Sequence, residues 1–257
     1  MGIDVPSDAP TRIEVLPAVA FDPLDAQSAL DLILSASRNT FRYVVTPNVD
    51  HIVRLHADAS IVSYYQSAWL SLNDSRALQL LLSLIGVPVP VARGSDLASM
   101  LLTTIDRSGA RIAVVGCDPC VITELKSKHS RLTILHKNPP MGFYNDEALV
   151  SECVDFVRHA EPDFTFFAVG SPQQEMVAYR CLLDRRCQGI GLCIGAALLM
   201  HVGQEKRAPA LLRATGFEWL FRFAKDPTRL WQRYLVRNPA ILLLVAKEGW
   251  HRLWRQR

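Results

Sequence analysis

Hydroxyls, amides, a carboxylate and glycines gather in the turns that follow the apolar runs of this chain: Thr46-Pro47-Asn48, Asn73-Asp74-Ser75, Gly116–Pro119, Gly170–Glu175 and Gly195. Such a set suits hydrogen bonding to a polar ligand, and a turn that opens a helix also offers backbone N–H groups to phosphate. Taken singly, Thr46, Asp74 and Ser171 are equally good helix N-caps. A second set stands near the C-terminus, where Arg229, Arg233 and Arg237 recur at i, i+4 and i+8 and so share one helix face. The chain has no Asp-x-Asp of the kind that holds a divalent ion against a nucleotide diphosphate. If a diphosphate is bound, arginines must neutralise it. GxGxxG after a strand, GxxxxGK[ST], GxSxG and HExxH are all missing, so dinucleotide, P-loop, serine-hydrolase and zincin chemistries lack their residues. His51 and His56 read as helix surface.

The turns imply the elements that must position them. A short strand is expected at Arg12–Leu16 and a first helix over Phe21–Ser37, where Leu24, Leu30, Ile33 and Leu34 keep helical spacing. Phe41–Val45 is a strand that runs through Thr46-Pro47-Asn48 into a helix over Val49–Ala57, with a cap residue beside a proline. The unit repeats: Ala68–Leu72 leads into a helix over Ala77–Ile85, and Arg111–Val115 leads into another helix. Arg131–His136 is the next strand. Asp163–Val169 is a nearly continuous apolar strand, of the kind buried on both faces, and Gly189–Ile194 is the last. Alternation of this kind predicts an α/β fold with a largely parallel sheet flanked by helices, and ligands in such sheets bind beyond the strand C-termini.

The remaining quarter differs in character. Residues 206–257 hold twelve Lys and Arg against three Asp and Glu, a charge of +9 in a chain whose total is +3, and residues 1–205 sum to −6. Four of the five tryptophans lie there, at positions 219, 231, 250 and 254. Composition divides the chain into a core over residues 1–205 and a helical appendage over 206–257. Asp226-Pro227 and Asn238-Pro239 punctuate the appendage into helices near Phe217–Lys225, Pro227–Arg237 and Pro239 onward. The apolar run Ile241–Ala246 falls far short of the roughly 18–20 residues a spanning helix requires. An aromatic-flanked apolar stripe beside a basic face predicts docking on an anionic bilayer, through Trp231, Leu235, Ile241, Leu244, Trp250 and Trp254.

Length and composition allow one full core plus an appendage. Met1–Pro10 is acidic and proline-bearing, with neither a basic n-region nor an apolar run, so a cytoplasmic location is expected. The six cysteines read as reduced thiols, because Cys117-Asp-Pro-Cys120 has no second pair to complete a zinc site.

Laid side by side, TPNVDHIV at Thr46–Val53, GSD at Gly94–Asp96, GSPQQE at Gly170–Glu175, CIGAAL at Cys193–Leu198 and, in the tail, KRAP, FEWLFR, DPTRLWQRYL and NP resemble the WecG/TagA/CpsF glycosyltransferases, glycosyltransferase family 26. The resemblance spans nearly the whole chain. It implies a Rossmann-like fold of the GT-E type and a bacterial inverting transferase of surface-polysaccharide or exopolysaccharide assembly. Such an enzyme moves a sugar from a UDP-sugar to a polyprenyl-diphosphate-linked glycan at the cytoplasmic face of the inner membrane, and its appendage docks there and completes the active site. The catalytic aspartate of the family lies in a Pro-Asp-Gly string. Here the string is Asn73-Asp74-Ser75, which makes Asp74 the general base. Thr46, Asn48, Arg93, Gly170, Ser171, Gln174 and Gly195 become the substrate-binding set, and Arg222, Arg229 and Arg233 the groups that stabilise the departing diphosphate. No cofactor or metal is expected, no nucleic-acid partner, and self-association is left open.

Two other classes compete. A non-catalytic membrane adaptor would use the tail without the pocket carboxylate, and so would tolerate loss of Asp74. An RNA-binding α/β protein would place the same arginines on phosphates, with binding that falls steeply with salt and needs no lipid.

Overall fold

The computed structural model describes residues 11–255; the expectation for Met1–Pro10 lies outside the described residues. The chain begins with a two-stranded antiparallel hairpin, β1 (Ile13–Leu16) and β2 (Val19–Phe21). The main sheet holds β3 (Arg42–Val45), β4 (Leu70–Ser71), β5 (Arg111–Gly116), β6 (Thr133–Lys137), β7 (Phe164–Ala168) and β8 (Ile190–Cys193). Its order is β4-β3-β8-β7-β5-β6, and every pairing is parallel. The predicted α/β class with a parallel sheet is therefore the observed one.

Side-chain alternation divides the core into two layers, as the period of a strand demands. Tyr43, Val45, Val115, Phe167 and Cys193 face one layer, whereas Val44, Val114, Phe166 and Leu192 face the other. The first layer is covered by α2 (Val49–Ala57), α3 (Val62–Gln66), α4 (Arg76–Leu84), α7 (Glu147–Ala160) and α8 (Gln173–Leu183). The second is covered by α1 (Ala26–Ser35), α5 (Gly94–Asp106), α6 (Pro119–Lys128) and α9 (Ala197–Val202). All six cysteines are free thiols.

Two of the differences from the expectation follow from strand pairing. The first helix starts at Ala26 rather than Phe21, because Val19–Phe21 is committed to the hairpin and Asp25 caps the helix by accepting from the Ser28 N–H. The strand expected over Ala68–Leu72 is ladder-paired only at Leu70–Ser71, since β4 is a sheet edge. That edge is covered rather than open: Asp22 accepts from the Ser71 N–H at 2.6 Å, and Arg12 donates to the carbonyls of Ala68 and Trp69 while pairing with Asp22. Capping of this kind blocks strand addition at an exposed ladder.

The C-terminal quarter folds as α10 (Ala210–Thr215), α11 (Glu218–Lys225), α12 (Pro227–Trp231), a π-helical turn over Gln232–Arg237, and α13 (Ala240–Arg255). The predicted helix over Pro227–Arg237 is thus α-helical only in its first half. Another correction concerns Ile241, assigned to the membrane from sequence. Ile241 and Val245 are 4% and 5% exposed and belong to the first core layer, with α13 packed against α2, α4 and β1. Burial of such a side chain contributes about 1.5–3 kcal/mol, so the core holds α13 in place. Leu244 is half-buried on the same layer. Trp231, Leu235, Trp250 and Trp254 are exposed. No helix among the described residues is long and apolar enough to cross a membrane.

Candidate active site

The helices after β3 and β8 leave the sheet on opposite sides, α2 toward the first layer and α9 toward the second. Because β3 and β8 are neighbours, a crevice opens between their C-terminal ends, the usual ligand position in an open parallel sheet. A cavity of about 840 Å³ occupies this crevice. Its walls contain the residues assigned as base, substrate-binding set and diphosphate set: Thr46, Asn48, Asp74, Arg93, Gly170, Ser171, Gln174 and Gly195 from the strand ends, and Arg222, Arg229 and Arg233 from the tail, whereas the turn Gly116–Pro119 does not line it.

The strand-end wall is a hydrogen-bonded surface. Thr46 Oγ1 donates to the Cys193 carbonyl at 3.3 Å and ties β3 to β8. A Cβ on Gly94 would lie 2.8 Å from that same oxygen, so the start of α5 can approach Thr46 only as glycine. Asn48 caps α2 by accepting from the Asp50 N–H, while the Asn48 N–H donates to His51 Nδ1 at 3.0 Å. His51 is therefore not the surface residue the sequence suggested: burial, with Arg54 and Arg233 nearby, holds its pKa well below the usual histidine range, and it serves as a neutral acceptor. His56 is exposed. Ser171 is gripped by Arg54, through both its carbonyl and its hydroxyl, and by the Tyr65 hydroxyl at 3.0 Å. Gln174, 4% exposed, accepts from the Gly195 N–H and donates to Glu175, which leaves the orientation of its amide fixed.

Asp74 sits at the meeting point of the walls. Its own N–H donates to the Pro47 carbonyl, and its Oδ1 accepts from the Gly94 N–H at 2.9 Å. Burial pushes its pKa up to about 6, against the pull of Arg222, the Gly94 N–H and Arg93 and with the help of Glu218. A carboxylate in that range is ionised at neutral pH yet binds a proton far better than a free aspartate.

The tail wall is built from ion pairs. Arg222 meets Glu218 at 2.7 Å, and Arg93 lies 3.6 Å from the same carboxylate. Arg233 and Arg237 approach Asp50 at 3.4 and 3.8 Å, and Arg54 approaches it at 3.2 Å from the core side. Arg207 pairs with Asp96 at 2.7 Å. Arg229, by contrast, is directed to Asp226 on its own helix and is largely exposed, at the rim of the cavity. Sequence reasoning missed Asp50, which is 5% exposed and carries three guanidinium groups, and also Glu218. Asp50 stands two residues after the Asn48 cap, where an acidic residue is ordinary helix punctuation; only the fold brings the tail to it.

A second cavity, of about 380 Å³, shares Asp74, Asn48, Arg222 and Arg233 with the first and extends between α4, α11 and α13. Leu81, Trp219, Ile241 and Leu242 make its far side apolar. Among the described residues there is no group of three or more His, Cys, Asp or Glu arranged to hold a metal ion.

A half-buried carboxylate of raised pKa facing guanidinium groups across a strand-end cleft is an arrangement suited to group transfer from a diphosphate ester. The chain belongs to the glycosyl transferase WecG/TagA/CpsF family, whose pattern it matches over residues 13–255, and is a glycosyltransferase by that membership. It is 27% identical over 203 residues to the N-acetylglucosaminyldiphosphoundecaprenol N-acetyl-beta-D-mannosaminyltransferase of Bacillus spizizenii, covering 77% of this chain and 76% of that protein. It is 29% identical over 161 residues to the protein of the same name from Bacillus subtilis, covering 60% of this chain and 59% of that protein.

Proposed function

We propose that the protein transfers a sugar, with inversion, from a UDP-sugar to a sugar carried on polyprenyl diphosphate. An acceptor hydroxyl attacks the anomeric carbon of the donor, its proton passes to Asp74, and the anomeric C–O bond breaks with the electron pair leaving on UDP. Arg222 and Arg233 receive the growing charge on the departing diphosphate, with Arg229 at the rim. Thr46, Asn48, Gln174 and the backbone at Gly170, Ser171 and Gly195 orient the reacting sugars, and Arg93 lines the wall beside Asp74. The arginines supply the positive charge that a metal provides in other transferases, and the reaction runs without a divalent ion. The exposed apolar residues of α12 and α13 dock the protein peripherally on the cytoplasmic face of the membrane, where a lipid-linked acceptor resides.

The observation that carries this reading is the meeting of two unlike cavities at Asp74: one polar and lined by arginines, the other with an apolar far wall opening beside the exposed face of α13. The names of the two relatives support the acceptor class and suggest N-acetylmannosamine as the transferred sugar. A mass-resolved assay of a UDP-sugar panel against a short polyprenyl-diphosphate N-acetylglucosamine tests it. The expected result is addition of one sugar residue to the acceptor and release of UDP. Hydrolysis of donors without transfer, or no turnover with any of them, would contradict it.

A further inference from the structure

Glu218 is the carboxylate that the tail brings to the Asp74 wall. It opens α11, and its Oε1 accepts from Arg222 Nε at 3.2 Å and from Arg222 Nη2 at 2.7 Å. Its Oε2 lies 3.6 Å from Arg93 Nε. Both cations line the same cavity as Asp74, and the Gly94 N–H already donates to Asp74 Oδ1. Left without a counter-charge, two guanidinium groups and a backbone donor would hold Asp74 as a weakly basic carboxylate.

Several other charged groups around this wall have partners of their own. Arg76 of α4 is directed to the Ala214 carbonyl and to Gln79. Arg213 of α10 donates to the Ala208 carbonyl, and Arg233 of the π turn faces Asp50. Asp96 shares Arg93 at 3.8 Å and Arg207 at 2.7 Å. Tyr234 lines the cavity from the same turn as Arg233. Glu218 is thus the carboxylate that pairs with both cations.

We infer that Glu218 is a positioning residue for the transfer reaction: it holds Arg222 and Arg93 on its own carboxylate, so that Asp74 remains able to accept a proton while Arg222 stays on the cavity wall. The inference rests on the reading of Asp74 as the base. It makes the tail a contributor to the base as well as to the leaving group, since a core without Glu218 would present Asp74 to Arg93 alone. The burial that raises Asp74 and the contribution of Glu218 in the same direction agree with this geometry.

The test is the pH dependence of kcat/KM for the wild-type protein, Glu218→Gln, Glu218→Asp and Arg222→Met, with UDP-N-acetylmannosamine and the short lipid-linked acceptor. Loss of the Glu218 charge also frees Arg222 to meet Asp74, so both effects strengthen the ionised form. The acidic limb of Glu218→Gln should move down by about one pH unit, with a lower plateau. Glu218→Asp should keep the limb near its wild-type position. Arg222→Met, which removes a cation, should move the limb upward. An unmoved limb in Glu218→Gln, or shifts of the same sign in Glu218→Gln and Arg222→Met, would overturn the inference even if both variants were slower or melted earlier. Failure of the underlying reading looks different: Asp74→Asn would then keep its turnover and its acidic limb.

Discussion

The two walls of the cavity are held by different physics. The strand-end wall is fixed by hydrogen bonds among half-buried and buried groups: Thr46 to Cys193, Gln174 to Gly195, Asn48 to His51, Asp74 to Gly94. The tail wall is fixed by long arginine side chains paired with the partly exposed Glu218 and Asp96 and with the buried Asp50. Among the described residues, eleven of the sixteen exposed large hydrophobic side chains also belong to that tail. Partly exposed ion pairs contribute about 0–1 kcal/mol each and weaken with salt, whereas Ile241 and Val245, sealed in the core, do not. The difference teaches that the tail is anchored by a few aliphatic side chains but aligned by charges. The strand-end wall is preset, and the tail wall is the adjustable one.

The comparison breaks most visibly at Asp74. Asp74→Asn should lose roughly 10²–10⁴-fold in transfer, the usual range for a general base. The same substitution should not weaken the fold. The pKa of Asp74 in the folded chain, about 6, lies above its ordinary value of 3.8, so its ionisation lowers stability as pH rises through that window. At pH 7 the neutral amide is free of this cost, and thermal melting of the variant should occur at or above the wild-type temperature. Near-normal turnover would remove Asp74 from the mechanism; a sharply lowered melting point would recast it as a structural residue.

The outer face of the tail gives the next largest effect. Trp250, Leu253 and Trp254 stand at i, i+3 and i+4 on α13 and are all exposed. Replacing the three with glutamate should weaken co-sedimentation with anionic vesicles by roughly tenfold or more, because apolar area and charge both turn unfavourable. Transfer to an acceptor embedded in vesicles should fall with it, and transfer to a short water-soluble acceptor should fall less. Unchanged sedimentation would leave this face without a membrane role.

Smallest of all is the expected response to chelation: with the proposed arginines carrying the charge of the leaving group, EDTA should change the rate by less than about twofold. Loss of activity that magnesium or manganese restores would overturn that.

Much of this was legible in the residues. The turns Thr46-Pro47-Asn48 and Gly170–Glu175 announced themselves because strand and helix periodicities change across them, and the cavity collects both. The arginine stripe was legible because charge and period coincide. Other features depend on partners remote in the chain. The strand β1 was legible at Arg12–Leu16 but its partner β2 was not, and Phe21 read as the start of a longer helix, since Val19–Phe21 forms a strand only against β1. Ile241 looked lipid-facing within an apolar run, yet it fills the core between α2 and α4. His51 looked exposed until its Nδ1 was found closing the cap of its own helix. Asp50 reads locally as ordinary helix punctuation and Glu218 as a first-turn carboxylate, and their pairing with Arg233 and with Arg93 follows only when the tail meets the core.

The proposed mechanism divides labour between the core, which supplies the base, and the tail, which supplies the cations. Calorimetric titration of UDP into Asp74→Asn and into Arg222→Met/Arg233→Met, beside transfer assays on the same proteins, tests it directly. Asp74→Asn should bind UDP like the wild-type protein and fail to transfer. The arginine variant should bind UDP at least about tenfold more weakly, as expected when charge-assisted contacts to phosphate are lost. Wild-type UDP affinity in the arginine variant, or loss of UDP binding in Asp74→Asn, would contradict the account.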